Sequence, residues 1–279
     1  MKIGLALSGG GVRGIAHAGV LKALEENGIK IDIIGGTSSG SMIATLYASG
    51  YKPNEIYKLF KEYGDKIAYI NAKPLIKNYM INKKLTLKGL KTGRSIEKVF
   101  NKIMNKKGIY YIKDIKMPIV IPTVDLMDCN EYVFTNKPPE EKEKYITDIK
   151  VGKAIRASSS FSAVFCPCEF KEHAFIDGGA LDNIPIQEVK KQGADVVIGV
   201  KFISEKITKE SNIMDMTMKT IDIMGEQISK KNLKFADYIL NVYTDKTGLL
   251  DIEKIDKCYN YGYNSVINNL EEIKKVLKI

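Results

Sequence analysis

Three short stretches of this chain carry residue types that can do chemistry together. Residues 36–40 read Gly36-Thr37-Ser38-Ser39-Gly40. The pattern follows the apolar run IDII and opens a small-residue helix, the context in which a serine sits on a sharp strand-to-helix turn with its hydroxyl lifted clear of the backbone. Gly36 and Gly40 have no Cβ, so strand and helix can close around it. The N–H of Ser39 lies at the positive end of the new helix and can face a developing oxyanion. Ser39 is the rival nucleophile, but Ser38 alone has glycines two residues before and two after. A serine helix cap is the bland alternative.

The second stretch is Gly9-Gly10-Gly11-Val12-Arg13-Gly14, between a strand and a helix. Gly9, Gly11 and Gly14 also satisfy the dinucleotide fingerprint G-x-G-x-x-G, which requires an acid about 20 positions on at the end of the second strand. Asp32 is near that distance but starts its strand. The loop is better used for its run of backbone N–H groups beside a helix N-terminus, where an oxyanion can rest. Arg13 either adds positive charge there, braces the loop, or makes a surface ion pair.

The third stretch supplies a base. Of the two histidines, His17 falls one turn into the first helix and reads as packed within it, and His173 reads as exposed in a polar KEH stretch, four residues (about 13 Å if extended) before Asp177. Neither makes a convincing Ser–His–Asp triad. Asp177, in Ile176-Asp177-Gly178-Gly179, ends a strand, where functional residues of open α/β sheets gather. Asp182 is a second, lower-ranked acid.

The elements that must position these groups follow from hydrophobic periodicity. Strands are expected at 2–8, 31–34, 118–126, 131–135, 174–177, 195–203 and 237–243. Helices are expected at 15–27 with Gly28 as the stop, and at 40–49, 53–63, 94–105, 150–157, 185–192, 212–233 and 256–278, with 9–14 a loop and 137–144 exposed. Strand–helix–strand–turn–helix at the start predicts a parallel sheet with helical crossovers. Met214, Met218, Ile221 and Ile228 share a face of the 212–233 helix. That stripe reads as core, with the lining of an acyl tunnel as the sharper alternative. No repeat or linker interrupts the chain, which favours a single domain over 1–279.

Length and composition agree: 279 residues, 44% hydrophobic and 27% charged, exclude disordered and fibrous classes. No apolar run approaches the ~20 residues that span a bilayer, and the N-terminus reaches its glycine loop too soon for a signal peptide. Four cysteines without framework spacing predict reduced thiols and a cytoplasmic protein. Cys166 and Cys168 flank Pro167 without the second pair a zinc site needs. The formal charge of +10 is uneven, with residues 52–116 holding 17 Lys/Arg against 5 Asp/Glu. Such a segment is either a solvated helical face or a basic lid that touches an anionic membrane, the apolar Tyr69, Leu75, Ile76, Tyr79 and Met80 interleaving with Lys73, Lys77, Lys83 and Lys84. Nucleic acid is disfavoured, since the chain has only three arginines and no recognised nucleic-acid motif.

Taken in order, G-G-G-x-R-G, G-x-S-x-G and D-G-G resemble the patatin-like phospholipase family. Gly19-Val20-Leu21, Gly89-Leu90 with Gly93, Thr123-Val124-Asp125-Leu126 followed by Val133-Phe134, and Asp182-Asn183 with Pro185 fit as well. The family's A-S-x-x-x-P-x-x-F-x-P stretch appears from Ala157 to Pro167 with Ser162 in place of its first proline. The likeness runs from residue 3 to about 200, and the Lys- and Ile-rich composition suggests a bacterial source. It implies a three-layer α/β/α fold with a mostly parallel central sheet. It also implies a Ser–Asp dyad without histidine (Ser38 the nucleophile, Asp177 the base), N–H groups of Gly10 and Gly11 in the oxyanion hole, lipid acyl ester substrates, and no metal or other cofactor. Gly9 and Ser39 are further oxyanion candidates, with Arg13, Gly36 and Gly40 in support. A thioesterase or carboxylesterase on the same dyad, a nucleotide-binding regulatory protein and a membrane-associated protein with a vestigial site are the competing readings.

Overall fold

The computed structural model describes residues 1–68, 89, 91–140, 143–162, 164–203, 213–245, 247–248 and 251–279, with side chains in the 213–233 helix described at 216, 219 and from 223 onward. The interleaved tyrosines, apolar residues and lysines of 69–88 lie outside the described residues, as does Leu90.

The chain opens with β1 (Ile3–Leu7), a short 3₁₀ turn over Gly11–Ile15 in place of the expected loop, and α1 (Ala16–Glu26). Then come β2 (Ile33–Gly36), α2 (Ser39–Ala48), α3 (Pro53–Ala68) and α4 (Arg94–Asn105). β3 (Ile119–Asp125), β4 (Glu131–Thr135), β5 (Tyr145–Ile146), α5 (Val151–Ser158), β6 (Cys168–Phe170) and β7 (His173–Asp177) form the middle. The rest is α6 (Ile186–Lys191), β8 (Val196–Ile203), α7 (Ile213–Leu233), β9 (Tyr238–Tyr243), α8 (Ile255–Asn268) and α9 (Leu270–Leu277). The expected 256–278 helix is thus two helices. They part at Asn269, whose side chain bonds back to the Ser265 carbonyl (2.8 Å). Strands β5 and β6 are too short for a sequence pattern to show.

The strands lie in the order β5-β4-β3-β2-β1-β8-β9, with β7 paired to β3 and β6. The run β3-β2-β1-β8-β9 is parallel, and β4 and β7 flank β3 antiparallel. All residues of β1, β2 and β3 are buried, as a sheet covered on both faces requires. The two-residue pleat sorts them into two layers. Leu5, Leu7, Ile34, Ile119, Ile121 and Phe134 pack under α1, α2, α5 and α8. Ala6, Ile33, Val120, Val133 and Val197 pack under α6, with Leu233 at the end of α7 against them. This is the expected three-layer α/β/α architecture.

Candidate active site

Ser38 and Asp177 come together through β3. Its first residues pair with β2 in parallel, Ile34 with Ile119 and Gly35 with Val120. On the same edge, its last residues pair with β7 antiparallel, Thr123 opposite Asp177 and Asp125 opposite Phe175. The two strands run toward each other and end on either side of Ile121 and Pro122. Ser38 follows the end of β2 by two residues, and Asp177 is the last residue of β7.

Ser38 has φ 53° and ψ −123°, a backbone conformation that L-residues avoid. The turn is forced by close packing. A Cβ on Gly36 would run into the Gly40 carbonyl, and one on Gly40 would lie 2.5 Å from the Leu7 carbonyl oxygen. The Ser38 N–H donates to Ser158 Oγ (3.1 Å), and the Asp177 N–H to the Ser160 carbonyl (3.1 Å), so the Ala157–Pro167 stretch anchors both residues despite Ser162 in the proline position. The Ser38 hydroxyl lies beside the Asp177 carboxylate, whose Oδ1 accepts the Gly179 N–H (2.8 Å). Burial pushes the Asp177 carboxyl up to about 6, against the lowering effect of Ser38 and of the Gly179 N–H.

The glycine loop is pinned peptide by peptide. His17 Nε2 donates to the Ser8 carbonyl (2.8 Å). The Gly9 N–H donates to Asn183, to Oδ1 at 3.0 Å and to the carbonyl at 3.3 Å. The Gly9 N–H, an expected oxyanion donor, is thus engaged by Asn183 in this structure. The missing side chain of Gly9 leaves room for Asn183 Oδ1 and Ser38 Cβ, which a Cβ would meet at 2.8 and 3.0 Å. Arg13 Nε donates to the Gly10 carbonyl (3.2 Å), which turns the N–H of the same peptide, that of Gly11, the other way. Arg13 is buried, and this bond braces the loop. Gly10, Gly11, Ser38 and Asp177 all line one cavity of about 690 Å³. Its walls are chiefly apolar, with Met42, Phe60, Ile67, Ile96, Phe161, Val164, Phe165 and Phe202 among them.

The rivals are placed elsewhere. Ser39 Oγ is buried without a hydrogen-bond partner, packed where a Cβ on Gly14 would have to go. Asp182 turns its carboxylate to Asn232 Nδ2 (3.0 Å), and its carbonyl accepts the Thr37 hydroxyl (2.8 Å). Asp32 accepts the Ile3 N–H at the opposite end of the sheet (2.9 Å), away from the glycine loop where a ribose-binding acid would have to stand.

Residues 5–190 match the model of the family described as Patatin-like phospholipase. The chain belongs to that family. Among curated proteins this patatin-like chain is similar to Lysophospholipase NTE1 of Candida albicans, 35% identical over 198 residues, 71% of this chain and 13% of that one. It is also similar to Patatin-like phospholipase domain-containing protein 6 of Mus musculus, 30% identical over 274 residues, 98% of this chain and 17% of that one. The chain spans less than a fifth of the length of these relatives. Its fold is shared with VipD from Legionella pneumophila (TM-score 0.54, 13% identity, 97% of this chain and 67% of that chain). Human GIVD cytosolic phospholipase A2 in complex with methyl gamma-linolenyl fluorophosphonate shares it too (TM-score 0.51, 11% identity, 99% and 59%).

Several residues of this patatin-like chain do what the sequence did not announce. His173 is half-buried rather than exposed: Nδ1 lies 2.6 Å from Asp125 Oδ2, and its ring stacks on Phe175. The pairing is with Asp125, not Asp177, so no triad forms. His17 is fully buried, its pKa lowered by burial to about 4, and it holds the glycine loop as a neutral donor. Asn183 and Ser158 are loop and elbow partners that only long-range contacts reveal. Of the expected stripe on the 212–233 helix, Ile228 alone has a described side chain, and it is part-exposed and lines the cavity together with Ile223 and Met224, while the side chains of Met214, Met218 and Ile221 lie outside the described residues.

All four cysteines are free, and burial pushes the Cys168 thiol up to about 11. Among the described residues, no helix is long and apolar enough to cross a membrane, and no group of three or more His, Cys, Asp or Glu is placed to hold a metal ion.

Proposed function

We propose that this chain is a serine lipid acyl hydrolase that cleaves carboxylic ester bonds of phospholipids or lysophospholipids through a Ser38–Asp177 dyad. The observation that carries the reading is a strained, cavity-lining serine placed beside a buried carboxylate in the cavity that Gly10 and Gly11 also line.

Asp177 accepts the Ser38 proton as Oγ attacks the ester carbonyl. The carbonyl oxygen becomes an oxyanion held by the N–H groups of Gly10, Gly11 and Ser39, the last at the N-terminus of α2. The alcohol leaves with the proton from Asp177, an acyl-enzyme remains, and water activated by the same carboxylate releases the fatty acid. An ordinary aspartate, with a pKa of about 4, is a weak base for this task. Burial at about 6 brings Asp177 closer to working pH. The apolar walls accept acyl chains. A thioester or simple carboxylic ester would react by the same steps. Family membership and the apolar walls of the cavity favour the lipid.

The working arrangement proposed is one domain over residues 1–279, in a reducing cytoplasmic compartment and peripheral to membrane. Four free thiols and the basic 52–116 segment support it. A fluorophosphonate probe followed by peptide mass spectrometry tests the chemistry. Label is expected on Ser38 and on no other serine, and its absence from Ser38→Ala is the control. Thermal stabilisation by NAD or ATP without labelling would favour the nucleotide reading instead.

A further inference from the structure

The cavity opens beside α7, and that helix faces outward with the wrong residues for water. Met216 and Ile223 are each 52% exposed and Met224 58%, and Phe235, just past the helix, is 38% exposed. Single exposed apolar side chains are ordinary, but Met216, Ile223 and Met224 recur at spacings of seven and eight residues, on one side of the helix. The opposite side of α7 is tied down. Ser229 is buried, Asn232 bonds Asp182 (3.0 Å), and Lys201 pairs with Glu226 (2.9 Å). The helix is thus held with this row outward.

The charge along this stretch is net positive. Lys230 and Lys231 occupy the last turn and are exposed, and Lys234 Nζ stands 5.1 Å from the centre of the Phe235 ring. Residues 219–234 hold four lysines against two acids in sequence. Apolar side chains bordered by lysines fit the boundary between acyl chains and anionic head groups.

We infer that the outer face of α7 docks on an anionic lipid surface and seats the cavity mouth on it. The inference rests on the lipid hydrolase reading, and it adds a membrane contact in a part of the fold other than the 52–116 segment. Ile223, Met224 and Ile228 are at once exposed and cavity-lining, so an acyl chain leaving the bilayer passes along them toward Ser38 without crossing water. Lysines at the rim meet the head-group phosphates.

The test is vesicle flotation of the full chain carrying Ser38→Ala, on phosphatidylcholine vesicles with and without about a third of phosphatidylglycerol. Binding is expected on the anionic vesicles, and it is expected to fall in ~1 M salt, where the Debye length is ~3 Å. Met216→Ser with Phe235→Ser, neither residue lining the cavity, should lower partitioning on both vesicles about tenfold or more. Lys230→Glu with Lys231→Glu should lower it on the anionic vesicles alone, by about fivefold or more for each lysine. In the Ser38 background each pair of changes should leave hydrolysis of a short soluble ester unaltered. Equal partitioning of parent and variants would overturn the inference. So would a protein that dimerises without vesicles and loses the dimer with the Met216/Phe235 change, since a second copy would then be the occupant. Vesicle binding with no ester hydrolysis would instead count against the hydrolase reading alone.

Discussion

Ser38 and Asp177 stand at the ends of two strands that approach each other along one edge of β3, the first parallel to it and the second antiparallel. Neither strand passes the other, and the gap between them, opposite Ile121 and Pro122, is where hydroxyl and carboxylate meet. Gly178 lets the chain leave that gap, since a Cβ there would run into the Pro122 carbonyl.

The buried carboxylate sets the pH response. With the Asp177 pKa raised to about 6, the protonated form prevails below that pH and cannot accept the Ser38 proton. The rate constant kcat/KM on a soluble ester should therefore rise tenfold per pH unit below about 6 and level off above it. A profile that breaks near 4, as for an exposed aspartate, would contradict the assignment.

The same burial costs stability. A carboxyl whose folded pKa lies above its unfolded value contributes stability that is complete below the unfolded pKa and is lost as pH rises through about 6. Asp177→Asn removes the ionisation. It should abolish nearly all activity yet make the fold up to about 3 kcal/mol more stable at pH 8, with the gain closing by about pH 4. Urea unfolding at the two pH values reads this directly.

Ser38 carries backbone strain independent of its hydroxyl. Ser38→Gly should gain about 1 kcal/mol, because glycine adopts φ 53° without penalty, whereas Ser38→Ala should gain nothing. Both should be inactive. Melting temperatures of the two variants side by side separate strain from the lost hydroxyl, and equal values would show that the turn is relaxed.

His17 is expected to act on the rate through the glycine loop. His17→Ala strands the Ser8 carbonyl, at a cost of about 1–3 kcal/mol, and loosens the peptides that aim Gly10 and Gly11. It should lower kcat about tenfold with little change in KM, the pattern of a lost transition-state contact. His17→Gln, which can re-donate to Ser8, should recover most of kcat. Its acid behaviour should also change. A histidine whose folded pKa is lowered to about 4 loses its stabilising contribution as pH falls from about 6.5 to 4, and the glutamine variant should lack that loss.

Much of this was legible in the chain itself. The α4 helix runs from Arg94 to Asn105 as its apolar period predicts, because Ile96, Val99, Phe100, Ile103 and Met104 form one buried stripe. The turn at Ser38 was legible because glycines at fixed spacing have few other uses between a strand and a helix. His173 was misread because a polar sequence neighbourhood says nothing about Asp125, which arrives from another strand. The place of Ile228 at the cavity was not legible, because periodicity marks an apolar face without saying whether protein, cavity or solvent lies against it.

The sequence by itself determined the chemistry on offer: a serine on a tight turn, an acid before two glycines, and a run of amides with no side chains to block them. Only the tertiary structure decided which groups lie together. The strand pairings onto β3 bring Asp177 rather than Asp182 to Ser38, and Asn183 takes the Gly9 amide while Gly10 and Gly11 line the cavity. Local spacing fixes turns and helix faces over a few residues. Which distant strand lies alongside is settled by the burial of whole strands in one sheet, and no short motif encodes that.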